Sequence, residues 1–133
     1  MSDALISVRL MAPEDRAFVA ASWFESYWKG TMNQVVDYAV YNPGQAALID
    51  KALDEGLTHV VYAKQYPDEI LGWANFTGVH RDVLQYVYVK SVYRKQGIAT
   101  GLCRRARAYT HKTRAGQPLV KSLRLRFDPY AVP

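Results

Sequence analysis

Eight residues in the C-terminal half have types and spacing that suit phosphate chemistry: Tyr93-Arg94-Lys95-Gln96-Gly97-Ile98-Ala99-Thr100. They lie between a predicted strand and a predicted helix. Small residues at 97 and 99 let the backbone approach a ligand closely. If a helix opens near Ile98, the amides of Gln96 to Thr100 have no intrahelical acceptor. They then sit at the positive end of the helix dipole. Arg94 and Lys95 add charge and Thr100 adds a hydroxyl. Together these groups could cradle a diphosphate. The segment matches neither Gly-x-Gly-x-x-Gly nor the Gly-Lys-Ser/Thr ending of two common phosphate loops. From these eight residues alone, a basic loop with one glycine for a tight turn reads equally well.

Other chemical groups are scattered. Glu25 falls late in a predicted helix, where a solvated carboxylate is the plain reading. Gln85 and Tyr86 fall on a predicted strand, where the tyrosine can serve as packing. His80 sits in a turn beside Arg81 and Asp82. His59 and His111 have no spacing with each other or with a carboxylate that suggests a metal, so no metal site is expected. Cys103 has no histidine at useful local spacing and reads as a small buried residue. As the only cysteine, it excludes an internal disulfide and points to a reducing, cytoplasmic compartment.

The elements that must hold these groups follow from periodicity. Leu5 to Leu10 alternates as a first strand. Pro13-Glu14-Asp15 opens a helix to about Trp28, with Phe18, Ala21, Phe24 and Trp28 on one stripe and Gly30 as its stop. Asn33 to Tyr41 predicts a second helix, interrupted by Pro43-Gly44. Gln45 to Glu55 predicts a third. Thr58 to Lys64, Ile70 to Thr77 and Val83 to Val89 form an antiparallel meander, with turns at Tyr66–Glu69 and Gly78–Asp82. Tyr86 and Tyr88 should share one face of the last strand, and Gln85, Val87 and Val89 the other. Ile98 to about Lys112 predicts a long helix through Ile98, Leu102, Ala106 and Tyr109. Leu119 to Phe127 predicts a final strand.

The chain has 133 residues, half of them apolar and 22% charged, which suits one domain over residues 1–133. No apolar run is long enough to span a bilayer, and the N-terminus has no secretory pattern. The charge is divided unevenly. Residues 1–89 hold 6 Lys/Arg against 11 Asp/Glu, whereas residues 90–133 hold 11 against 1. The C-terminal third should attract anions. None of the familiar nucleic-acid motifs is present.

The wider segment from Tyr86 to Leu102, Tyr-Val-Tyr-Val-Lys-Ser-Val-Tyr-Arg-Lys-Gln-Gly-Ile-Ala-Thr-Gly-Leu, resembles the signature of the GCN5-related N-acetyltransferases. In that pattern a strand ending in valine and a short linker lead to Tyr-Arg, then to Arg/Gln-x-x-Gly-x-Gly/Ala opening a helix. Arg94, Gly97 and Ala99 match the last element, and Val89 and Tyr93 the flanking positions. Ser91 stands where the family often has proline. The predicted element order is also similar over roughly residues 5–127. The resemblance implies an α/β fold, a mixed, mainly antiparallel sheet flanked by helices. It implies transfer of an acetyl group from acetyl-CoA to a primary amine by direct attack in a ternary complex. Arg94, Lys95 and the amides of Gln96, Gly97, Ile98, Ala99 and Thr100 would hold the pyrophosphate. The backbone of Val87 and Val89 would pair with the pantetheine arm, and the Val89 amide would polarise the thioester carbonyl. Glu25 lies near where the family often binds its acceptor.

The resemblance also sets expectations at the C-terminus. The family continues past its fifth strand with a helix and two strands, and that helix often supplies a tyrosine to the leaving thiolate. The predicted elements end about six residues before Pro133, so a short form without those elements is expected. Tyr130 is the nearest substitute. A bare fifth-strand edge would invite a homodimer or protein partner. The alternative is a non-catalytic interaction module on a truncated fold. Nucleic acid and membrane are not expected partners.

Overall fold

The computed structural model describes residues 5–131 except Lys95 and Arg114. Its elements are β1 (Ile6–Leu10), α1 (Arg16–Gly30), α2 (Tyr38–Glu55), β2 (Leu57–Ala63), β3 (Tyr66–Thr77), β4 (Val83–Val89), α3 (Ile98–Cys103), β5 (Ala108–Tyr109), α4 (Gln117–Ser122) and β6 (Arg126–Phe127). One six-stranded sheet runs in sequence order from β1 to β6. β1 to β4 are antiparallel, and β5 and β6 add in parallel. This is the mixed, mainly antiparallel α/β arrangement expected.

Alternation along the strands builds a core on each face. On one face α1 and α2 bury Val19, Trp23, Ile49 and Leu53 against Val60, Ile70 and Trp73. On the other, α3 and α4 bury Ile98, Leu102, Cys103 and Val120 against Val61, Leu71, Phe76 and Val89. Gly72 allows β3 and β4 to close up, because a Cβ there would stand 2.7 Å from the Tyr88 carbonyl oxygen. Asn75 is fully buried and satisfied. It donates to the Ala52 carbonyl at 3.1 Å and the Thr58 hydroxyl at 2.9 Å, and accepts from Gln85 at 2.7 Å.

Several sequence expectations are corrected. Pro43 does not divide the second helical region; it lies inside one helix, α2. Tyr41, Gln45, Ile49, Ala52 and Leu53 bury a single stripe across it, so packing outweighs the hydrogen bond that proline cannot donate. The turn foreseen at Tyr66–Glu69 belongs to β3, and irregular pairing near Tyr62 and Ala63 lets β3 begin at Tyr66. Gln85 is not on the Val87 face. Asn75 pairs with Tyr86 and Phe76 with Leu84, so Gln85 is the extra residue of a bulge, and its side chain reaches Asn75.

The largest correction concerns the C-terminal third. The helix predicted to Lys112 stops at Cys103, and the predicted strand Leu119–Phe127 is a helix, α4, followed by β6. Ile98, Leu102, Ala106 and Tyr109 are all buried in one cluster as expected, but as helix, loop and strand. A short helix and a two-residue strand, α4 and β6, thus follow β5, where no further element was expected. β6 pairs with β5, so the fifth strand has no bare edge. No helix among the described residues is long and apolar enough to cross a membrane.

Three groups give the fold a pH dependence. Burial holds His111 and His59 below the ordinary imidazole value of 6.5, with Arg105 adding to the effect at His59. The folded chain therefore binds fewer protons than the unfolded chain just below pH 6.5, and stability falls as pH drops from there. Asp15, hydrogen-bonded by Arg9 and by the Ala12 amide, lies below its ordinary 3.8. Its stabilisation is full above that value and is lost as pH falls through the lowered one. Thermal melts across pH should show a level region above about 7, a first decline below 6.5 and a second below 3.8. A melting temperature that stays level from pH 7 to 5 would contradict the burial of the imidazoles.

Candidate active site

The site begins where two parallel strands part. β4 and β5 pair only through Val83–Ala108 and Leu84–Tyr109, and the Thr110 amide makes the last bond, to the Leu84 carbonyl at 2.9 Å. Beyond Leu84, β4 continues for five residues without β5 beside it. The Lys90 amide donates to the Leu71 carbonyl, so alternation points the polar groups of Tyr86 and Tyr88 at β3. Those of Val87 and Val89 point into the gap. The gap is a cleft of about 1130 Å³, walled by α1 on one side and by α3 and α4 on the other.

The basic loop closes one end. Gly97 has φ +81, the left-handed region, and its carbonyl accepts from the Gly101 amide at 2.9 Å to start α3. Among the described residues beyond its chain neighbours, no atom stands within 4 Å of where a Cβ at Gly97 would be, and Gly97 lines the cleft. The space above it is therefore open to a ligand. Arg94 folds back, its Nε donating to the Val89 carbonyl at 2.9 Å, which ties loop to strand. Ile98 is buried and anchors α3, while Ala99 and Thr100 are half-buried and line the cleft. Gln96 is exposed, and Lys95 lies outside the described residues.

The two acid–base candidates fare differently from the backbone groups. Glu25 lies on the rim of the cleft, exposed, with Lys29 donating to it at 2.6 Å. The Lys29 ammonium lowers its pKa, which makes it a weaker base. Tyr130 is 86% exposed and is not among the cleft residues, so the structure does not bring it to the gap. Its place in the chain suggested proximity, but Asp128 and Pro129 turn it outward after β6. Cys103 is fully buried, with its thiol pushed up to about 12, which removes it as a nucleophile. No metal-binding cluster occurs among the described residues.

Sequence reasoning missed the polar floor. Tyr86 stacks on Trp23 at 5.3 Å, and its hydroxyl lies 2.8 Å from the Ser26 hydroxyl. Burial raises the Tyr86 pKa, so it stays a neutral phenol. His111, just past β5, also lines the cleft. The alternation of Arg105, Ala106, Arg107 and Ala108, exposed and buried in turn, was the available signal that a strand delivers it there.

The model of the acetyltransferase (GNAT) family matches residues 20–119. The chain belongs to the GNAT family. Among solved structures, a GCN5-related N-acetyltransferase from Ralstonia eutropha JMP134 superposes with a TM-score of 0.63 at 16% identity, covering 89% of this chain and 90% of that one. A predicted acetyltransferase from Clostridium acetobutylicum, solved with acetyl-CoA, gives 0.63 at 10% identity, with coverage of 97% and 95%. AAC(6')-Iy in complex with the bisubstrate analog CoA-S-monomethyl-acetylneamine gives 0.57 at 15% identity, with coverage of 91% and 90%. At these identities the likeness is one of fold. No curated protein matches the chain significantly. As a GNAT family member, the chain has acetyltransferase activity as its general class.

Proposed function

We propose that residues 1–133 act as one unit that transfers an acetyl group from acetyl-CoA to a primary amine, by direct attack within a ternary complex. The fork between β4 and β5 carries this reading. It leaves the polar backbone of Val87 and Val89 facing a cleft that ends at the Gly97 turn. The residues fit a coenzyme A thioester. The backbone of Val87 and Val89 offers an extended arm its hydrogen bonds, and the open space over Gly97 admits the diphosphate. Arg94 and the amides of Ile98, Ala99 and Thr100 would supply donors and charge there, and Lys95 and Gln96 adjoin them in sequence. The surplus of basic residues after position 89 favours the same anion.

The chain's own part in catalysis is positioning and polarisation. The Val89 amide would stabilise negative charge on the thioester oxygen. Tyr86 and Ser26 line the side on which an amine would enter. An amine acceptor suits the acidic N-terminal two-thirds of the chain. The lone, buried thiol is compatible with a reducing cytoplasm.

Calorimetric titration with acetyl-CoA tests the reading directly. Saturation to 100 times Kd should add about 2.7 kcal/mol of stability, seen as a raised melting temperature. Thiol release with a panel of small primary amines should follow. No heat of binding and no thermal protection would overturn the proposal.

A further inference from the structure

An acceptor amine must lose a proton, and the groups named so far offer no suitable base. Glu25 is exposed and held by Lys29, and Tyr86 remains protonated. His111 differs from both. It emerges from β5 at the fork, lines the cleft, and packs edge-on against Tyr27 at 5.8 Å. Its Nδ1 lies 2.6 Å from the Thr110 hydroxyl, and the Gln85 backbone lies close enough to favour the protonated ring, against the larger effect of burial. In the neutral ring one nitrogen carries the hydrogen and the other holds a lone pair.

We propose that His111 is a catalytic residue that takes the proton released by the acceptor amine; this rests on the acetyltransferase reading above. The amine attacks the thioester carbonyl carbon as its free base. The nitrogen–carbon bond forms, the carbon–sulfur bond breaks, and the electron pair leaves on sulfur. The proton given up by nitrogen passes to the imidazole lone pair and from the imidazolium to the thiolate. Amide and thiol are the products, and the ring returns to its neutral form.

The surroundings keep the ring ready for this. Tyr27 faces it from α1, Gln85 from β4 and Thr110 from the preceding position of its own segment, none of them charged. Tyr86 stands behind Tyr27 at 5.7 Å between ring centroids. The described cleft residues of α4 and the loop before it carry no charge. Among the described residues, the charged groups lining the cleft are Glu25 and Lys29, paired with each other, and Arg94, tied to the Val89 carbonyl. Burial disfavours the imidazolium, so the ring stays unprotonated to below the ordinary 6.5.

The test combines a spectroscopic titration with kinetics. The chain has three histidines. In ring-labelled wild-type protein, His59→Gln and His80→Gln identify the other two signals by their loss. The pKa of the His111 signal in the free protein should equal that of the acid limb of kcat/KM. His111→Gln keeps a polar side chain but cannot take a proton. It should bind acetyl-CoA as the wild type does, lose the acid limb, and lower kcat/KM by roughly 10²- to 10⁴-fold. An acid limb retained in that variant, or one that departs from the His111 titration, overturns the proposal alone. A wild-type protein that does not bind acetyl-CoA overturns the acetyltransferase reading and this proposal with it.

Discussion

Replacing Gly97 with valine weakens acetyl-CoA binding by roughly 5- to 150-fold in calorimetric titration. The figure follows from the backbone. Gly97 holds φ +81, and a β-branched residue in that region costs on the order of 1–3 kcal/mol. The strain has an easy outlet, because among the described residues beyond its chain neighbours nothing packs within 4 Å of the position. The turn can leave its left-handed conformation, and the amides that follow it then lose their aim. α3 itself should survive, since Ile98, Leu102 and Cys103 hold it in the core. The signature is therefore lost affinity with a nearly normal melting temperature. Unchanged affinity would remove the turn from the site.

The second large effect is on stability. Trp73→Ala destabilises the fold by about 3–5 kcal/mol, a large share of the roughly 5–15 kcal/mol that holds a domain together. Trp73 is completely buried. It lies 5.3 Å from Trp23, 5.7 Å from Tyr86 and 6.1 Å from Tyr88, and its indole N–H donates to Ser22 at 2.8 Å. Its loss leaves a cavity between α1 and the sheet and an indole-sized gap behind the cleft floor. Denaturant unfolding should show a lower midpoint with an unchanged slope. A loss below 1 kcal/mol would mean that the aromatic cluster can collapse around the vacancy.

The chain's local patterns made β1, α1 and the antiparallel meander legible, but not the single helix through Pro43. β1, α1 and the meander were readable because their apolar residues recur at the strand or helix period over five or more residues. The backbone part of the candidate site came from the family resemblance around Tyr86 to Leu102, which sets Val87, Val89 and Gly97 at a strand end and a helix start. The C-terminal third was misread because its elements are two to six residues long. At that length Ile98, Leu102, Ala106 and Tyr109 fit a helix as well as they fit what forms. Pro118 was a helix-start signal that the surrounding leucines masked. His111 was hidden for a different reason: its neighbours Tyr27 and Gln85 are distant in sequence, and only the fork brings them together.

The thin parallel contact also governs the order in which the molecule can assemble. The antiparallel hairpins of β2, β3 and β4 join neighbours in sequence and can form early. Pairing β5 with β4 requires closure over the segment from Leu84 to Tyr109 and returns only two residue pairs. The fork is therefore completed late, after the meander exists. A partly folded chain has a sheet but no cleft. A ligand held in that cleft stabilises contacts formed after the folding barrier, so it should leave the folding rate almost untouched and slow unfolding instead.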